Sequence, residues 1–320
     1  MQASEPSTVL SGGHNVDAMT SHVVVGAGPT GTATALLLAS TGDDVRVVTR
    51  RGTGPKHDRI ELVAADATTR LTELSAGAAT IINCAMPPYH RWPEETPALS
   101  AALVSAASET GAAYVNLSNV YGYGPVDGLL TPGLPLRPTT IKGEVRARMY
   151  ADGLAAHEAG RIRFAEVRAG DFLGVGAFAL FNLMIGPSVL AGEEVVFPAD
   201  LDAAHSWTYT GDVAATLVAV ARSTGWGRAW HTPQTSDLSV RAVTTRYAEV
   251  AGAPVPRLRE MTALELHTLA TADPAMAEST EMQYLYRRPG VLDWTETATT
   301  LDLKPTPLDD VLHEVATAAK

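Results

Sequence analysis

The sequence reads as an α/β protein organised around a doubly wound parallel sheet, with a smaller C-terminal part that covers a substrate. Short β-branched runs alternate with helix-length alanine- and leucine-rich stretches from residue 22 to about residue 170. A glycine-rich turn, Gly26-Ala27-Gly28-Pro29-Thr30-Gly31, joins the first run to the first helical stretch. The chain has 320 residues, 46% of them hydrophobic, so it is long and apolar enough to enclose a real core.

Taken in order, His22-Val23-Val24-Val25-Gly26 forms a strand, because β-branched side chains suit a pleated, packed surface. Thr30 to Ser40 propagates as a helix that Gly42 ends. Further strands follow at Val45–Thr49, Ile60–Ala64 and Ala79–Cys84, then a helix over Thr96–Thr110 and a fifth strand at Ala113–Ser118. A helix from Thr140 to Gly160, with Arg146 and Arg148 exposed, leads to a sixth strand at Ile162–Val167. Near-continuous apolar strands separated by helices are buried on both faces, which makes the sheet parallel and its crossovers right-handed. Residues 22–170 therefore form a Rossmann-like core. After Gly170 the rhythm loosens, and residues 171–320 are assigned mainly to substrate binding. Short strands at Val195–Pro198, Trp207–Thr210 and Ala229–His231 allow some of that half to return to the core. Residues 1–21, rich in Ser, Gly, Thr and Asn, read as a mobile tail.

Composition removes several function classes. Lys plus Arg number 24 against 35 Asp plus Glu, and the net charge of −11 repels nucleic acid and anionic lipid. Cys84 is the only cysteine, which precludes an intrachain disulfide, and no Cys/His grouping has zinc-site spacing. No apolar run is long enough for a bilayer, and the first residues lack a basic and then apolar leader. The expectation is a cytoplasmic protein with a small-molecule partner, no metal, no nucleic acid and no membrane.

The glycine turn carries the chemistry. Missing side chains let the backbone approach a pyrophosphate, while the next helix offers unpaired N–H donors and the positive end of its dipole. A β-branched strand before Gly26, Gly28, Thr30 and Gly31, and a helix after them, supply the context this motif needs. Where an acidic residue would bind an NAD ribose, the second strand ends in Thr49-Arg50-Arg51-Gly52. Two guanidinium groups suit a 2′-phosphate, so Arg50 and Arg51 point to NADP(H) rather than NAD(H). Asp66, after the third strand, can accept from an adenine amino group or serve its own turn. The stiff segment Asn83-Cys84-Ala85-Met86-Pro87-Pro88 suits packing against a cofactor ribose, with Ala85 and Pro87 nearest.

From Gly26 to about Asp212 the chain resembles the extended short-chain dehydrogenase/reductases, the superfamily of NAD-dependent epimerases and dehydratases. The residues that carry the likeness are the glycine turn, Asn83-Cys84-Ala85, Leu117-Ser118-Asn119-Val120-Tyr121-Gly122-Tyr123-Gly124, Lys142, Arg168-Ala169-Gly170-Asp171-Phe172-Leu173-Gly174 and Trp207-Thr208-Tyr209-Thr210-Gly211-Asp212-Val213. The resemblance implies an oxidoreductase or epimerase/dehydratase acting on a small carbonyl or hydroxyl compound, and homodimers are frequent in the superfamily. It also implies a serine, and a tyrosine four residues before a lysine, as the proton-handling set, with the lysine also holding the nicotinamide ribose. Here Lys142 matches, Asn119 beside Ser118 stands in the serine position, and Pro138 occupies the tyrosine position. Proline has no ionisable group and no N–H, so the proton donor passes to Tyr121 or Tyr123, with Asn119 on the substrate oxygen. Alternatively the donor is gone and the fold serves as a dinucleotide sensor or a redox-neutral cyclase or isomerase. Asp212 reads as the N-cap of a helix from Val213 to Ala221, and His205 and Trp207 as packed or pocket-lining. Met282 to Arg288 reads as a segment docking on the core rather than a lid for an acidic substrate.

Overall fold

The computed structural model describes residues 20–272 and 274–319. Most of the expected 1–21 tail lies outside the described residues, and Ser21 already opens the first strand.

The N-terminal half comprises β1 (Ser21–Val25), α1 (Pro29–Ser40), β2 (Asp44–Thr49), β3 (Ile60–Ala64), α2 (Ala67–Leu74) and β4 (Thr80–Asn83). It continues through α3 (Trp92–Thr110), β5 (Ala113–Asn119), α4 (Ile141–Glu158) and β6 (Phe164–Ala169). A last strand, β10 (Arg228–His231), returns from the C-terminal half to pair with β6. The result is a seven-stranded parallel sheet in the order β10-β6-β5-β4-β1-β2-β3. Strand order reverses between β1 and β4, and ligands in such sheets sit outside the carboxyl ends at that reversal.

Strand alternation divides the apolar side chains between two faces. Val24, Val47, Val115 and Val167 meet Leu38 of α1 and Leu217 of α6 (Thr210–Arg222) on one side. Val23, Ile81, Tyr114 and Phe164 meet Leu71 of α2 and Leu103 of α3 on the other.

The remaining chain builds a second core from β7 (Asp171–Leu173), α5 (Gly186–Ala191), β8 (Val195–Phe197), β9 (Trp207–Tyr209), α7 (Val240–Ala251) and β11 (Leu258–Glu260), with α8 (Ala263–Ala272) outside it. It ends in α9 (Pro274–Ser279), α10 (Thr295–Leu301) and α11 (Leu308–Ala318). Phe181, Phe197, Trp207, Tyr247, Val311 and Leu312 are buried together there. β7 pairs with β9 and β8 with β11, so of the three short strands expected after residue 170 only the one near Ala229–His231 joins the main sheet.

Three expectations are corrected. The third helix starts at Trp92, because Pro93 lies in a first turn that needs no amide donor, and Pro97 is accommodated inside it. Arg146 is buried: its guanidinium stacks 4.6 Å from the Trp92 ring and donates to the Leu117 carbonyl at 3.1 Å. It shares the inward face of α4 with Lys142, Met149 and Gly153, so the helical period outranks residue type, while Arg148 is exposed as expected. Asp212 is not an N-cap, since α6 begins at Thr210 and the Asp212 carboxylate instead accepts from the Thr306 amide at 2.8 Å and hydroxyl at 2.7 Å.

Candidate functional site

Gly26 leaves β1 with φ of +95°, a left-handed conformation glycine adopts without strain. A Cβ there would lie 2.9 Å from the Ala85 backbone, and one on Gly31 would lie 2.2 Å from the Gly26 carbonyl oxygen. Those two glycines let the turn, the end of β4 and α1 close on one another. Gly28, the residue before α1, meets nothing within 4 Å, which leaves an open approach to the first helical amides. The cradle thus fits a pyrophosphate. Thr30 is buried in the first turn of α1, and Pro29 lies at its start, where its missing N–H costs nothing.

Beside this cradle, Thr49 to Gly52 make a tight turn closed by the Gly52 amide on the Thr49 carbonyl at 3.2 Å. Arg50 and Arg51 are exposed on it, and the Arg50 charge acts on the nearby Asp66 carboxylate. The returning chain passes close to the cradle: a Cβ on Gly54 would stand 3.7 Å from the Ala27 side chain. Asp66 caps α2, its Oδ1 accepting from the Thr68 amide at 2.9 Å and hydroxyl at 2.8 Å, and these bonds hold its carboxyl below the usual range. Ala85 packs on Gly26, and the Pro87 carbonyl accepts from Trp92 Nε1 at 3.0 Å, which ties the β4 exit to α3.

A cavity opens beyond the carboxyl ends of β5 and β6. Asn119 and Tyr121 line it together with Tyr89, Asp171, Met282 and Tyr286. Asn119 Oδ1 accepts from the Tyr121 amide at 3.2 Å and so fixes the loop that presents this tyrosine. Burial pushes the Tyr121 phenol up, and Asp171 adds to that; the facing hydroxyl of Tyr89 and the Arg146 guanidinium act in the opposite direction. Tyr89 is also pushed up, chiefly by burial. Of the two facing phenols, Tyr121 has the oxygen supported by a neighbouring donor and a buried cation.

The other expected tyrosine turns away. Tyr123 is buried on the opposite side of the loop, where its hydroxyl hydrogen-bonds with His231 Nε2 at 2.6 Å and accepts from Arg168 at 2.6 Å. It does not line the cavity, because the short 3-10 turn from Tyr121 to Tyr123 sends the two rings in different directions. Lys142 is fully buried in the first turn of α4, with Nζ bonded to Glu278, 3.7 Å from Glu281 and 5.0 Å above the Tyr89 ring. Pro138 lies just before the Thr140 cap of the same helix and packs against Gly143. His205 is 3.2 Å from Asp171 and stacked near Trp207, behind the cavity wall. The segment around Met282 to Tyr286 docks and also lines the cavity, with Arg287 and Arg288 pointing outward.

Sequence reasoning missed Tyr89, Asp171 and Tyr286. The first two carried a readable signal, since each follows a core strand at its carboxyl end, where doubly wound sheets place ligands. Tyr286 belongs to the Met282–Arg288 segment that the sequence marks as docking on the core, but nothing local shows that its ring also lines the cavity. Among the described residues no helix is long and apolar enough to cross a membrane.

The sheet order, the glycine cradle and the cavity at the strand ends define a Rossmann-type dinucleotide-binding fold. The chain belongs to the NAD dependent epimerase/dehydratase family, which matches residues 22–230. Three solved structures illustrate the likeness. The Bordetella bronchiseptica enzyme WbmH in complex with NAD+ is 17% identical with a TM-score of 0.74, over 94% of this chain and 99% of that one. UDP-glucose 4-epimerase from Thermotoga maritima with UDP-glucose is 15% identical with a TM-score of 0.76, covering 94% and 98%. dTDP-glucose 4,6-dehydratase from Bacillus anthracis in complex with NAD is 14% identical with a TM-score of 0.76, covering 94% and 96%. No curated protein matches the sequence. The family and the cradle together support a nicotinamide dinucleotide as the cofactor class and an oxidoreductase- or epimerase-type enzyme.

Proposed function

We propose that this chain is an NADP(H)-dependent oxidoreductase or epimerase/dehydratase-type enzyme acting on a small carbonyl or hydroxyl compound, with Tyr121 as the proton-exchanging group. The observation that carries the reading is the open helix entrance at Gly28, closed around by Gly26, Gly31 and Ala85 and placed at the same end of the sheet as the Tyr121 cavity. A bound nicotinamide supplies hydride exchange. The protein's own residues do the rest: helix-entrance amides hold the diphosphate, and Arg50 and Arg51 supply charge for a 2′-phosphate. Tyr121 gives or takes a proton at its hydroxyl, with Asn119 fixing its loop and Tyr89 donating to its oxygen. This assignment leaves Pro138 outside the chemistry.

Titration calorimetry with NADPH and NADH tests the cofactor. The wild type prefers NADPH, and Arg50→Ala with Arg51→Ala removes about tenfold or more of that preference without weakening NADH. Equal affinity for the two cofactors in the wild type would refute the arginine assignment. Stopped-flow absorbance with a panel of carbonyl compounds tests the proton role: Tyr121→Phe lowers kcat by about 10²- to 10⁴-fold and leaves cofactor affinity unchanged. Tyr123→Phe, by contrast, acts on stability.

One observation favours a second reading. Lys142, which the resemblance places on the nicotinamide ribose, is engaged by Glu278 and Glu281. A sensor that binds dinucleotide without turnover has no need of a free lysine at that position. Tight NADPH binding, no consumption with any carbonyl, and a redox-dependent change in a bound partner protein would select the sensor.

A further inference from the structure

The cavity that holds Tyr121 is lined mainly by apolar groups. Its walls come from Phe172, Phe178, Leu180, Leu183, Met282 and Leu285. Phe178 and Leu183 remain exposed at 67% and 46%, so apolar surface continues from the interior out to solvent. Among the described residues no lysine, arginine or histidine lines the cavity, and Asp171 is its one charged lining group.

Positive groups stand behind the lining, but each is already engaged. Lys142 is held by Glu278 and Glu281. Arg146 lies against Trp92 and donates to the Leu117 carbonyl. Arg287 is on the outer surface, donating to Gln283 at 2.8 Å. His205 lies against Asp171 at 3.2 Å, and the Tyr286 hydroxyl faces the same carboxylate. A diphosphate placed in this cavity would lose water, find no cation to replace it, and meet a carboxylate of its own sign.

Resting on the reading of the site as a dinucleotide-dependent enzyme, we propose that its substrate is an uncharged, predominantly apolar carbonyl or hydroxy compound and not a nucleotide sugar. The apolar walls desolvate the body of such a molecule, and each methylene they bury favours binding. Its oxygen then finds the uncharged polar edge formed by Tyr89, Asn119 and Tyr121, apart from the Asp171 carboxylate that the Tyr286 hydroxyl already faces. Small-molecule sites commonly follow this division, with apolar walls for affinity and a few convergent polar groups for orientation.

The test uses the whole chain with NADPH present and the uncharged fluorophore N-phenyl-1-naphthylamine as probe. Expected is a fluorescence increase that saturates, is undisturbed by an excess of UDP-glucose or dTDP-glucose, and weakens by about tenfold or more in Leu180→Glu. Circular dichroism melts check that the variant is folded, and competition in the wild type needs no variant at all. No fluorescence increase, displacement of the probe by either nucleotide sugar, or equal binding by a folded Leu180→Glu would each overturn the substrate class. Cofactor calorimetry is read separately: failure to bind NADPH sinks the enzyme reading, whereas failure of the probe sinks only the substrate class.

Discussion

Gly28 and Gly31 are both glycines of one short turn, yet the structure gives them different duties. A methyl group on Gly31 would strike a carbonyl oxygen of the backbone, which cannot rotate away, whereas one on Gly28 meets open space. Gly28 also has φ of −68°, which alanine adopts readily. Gly31→Ala therefore destabilises the fold by about 1–3 kcal/mol, and Gly28→Ala leaves the thermal midpoint unchanged while weakening dinucleotide binding by crowding the pyrophosphate approach. Thermal melts beside calorimetry separate the two outcomes, and an unchanged NADPH affinity in Gly28→Ala would remove the turn from the cofactor site. The sequence marked the turn as a place where backbone must come close, but it did not separate the two glycines, because only the packing of Gly31 against the Gly26 carbonyl tells them apart. The direction of Tyr123 was not legible: Tyr121 and Tyr123 share one short turn, and only the long-range partners Arg168 and His231 decide which ring faces the core. Arg146 was misplaced for a related reason, since its burial depends on Trp92 from another helix.

At the scale of elements, the entry to α4 is where the two halves of the chain meet chemically. Glu281 accepts from the Ile141 amide at 2.9 Å and the Lys142 amide at 3.2 Å, so a carboxylate from a remote segment occupies the positive end of this helix. Glu278 completes the latch on Lys142. Hydrogen bonds from backbone amides to a charged acceptor contribute about 2 kcal/mol net, enough to keep an otherwise lightly packed segment against the cavity. Glu281→Ala is expected to speed proteolytic cleavage within residues 274–286 and to raise acylation of Lys142, with little change in the global melting temperature. Mass spectrometry of partial digests reads both effects, and unaltered cleavage would mean that packing of Met282 and Tyr286 alone holds the segment. No sequence pattern near residue 281 signals this latch, whereas the strands and helices of the first 170 residues were nearly all readable, because their periodicity is local and the latch is not. β10 is the intermediate case: its short apolar run was visible, but its place beside β6 is set by what the rest of the sheet leaves open.

Across the whole molecule, a buried chain of polar groups runs under the carboxyl edge of the sheet and joins its later strands. Asn83 donates to Asn116 at 2.9 Å, Asn116 to Glu166 at 3.0 Å, and Arg168 to both Glu166 at 2.7 Å and Tyr123 at 2.6 Å. Tyr123 reaches His231, whose Nδ1 lies 3.0 Å from the Asp293 carbonyl, so strands β4, β5, β6 and β10 are linked through side chains as well as backbone. Facing a carbonyl, Nδ1 carries the proton, and in the neutral imidazole Nε2 is then left to accept from Tyr123. Burial, reinforced by the nearby Arg168 cation, pushes the His231 imidazole down to about 3. An unfolded chain protonates the same group near its ordinary value of 6.5. Between those two values the unfolded state holds a proton that the folded state does not, so stability rises with pH across the window and is lost as pH falls through it. The slope from this group reaches about 1.4 kcal/mol per pH unit. His231→Gln retains a donor and an acceptor but cannot titrate, and urea denaturation at a series of pH values between about 4 and 7 should show a shallower acid loss for the variant than for the wild type. Parallel curves for the two proteins would mean that His231 is not held neutral in the folded protein.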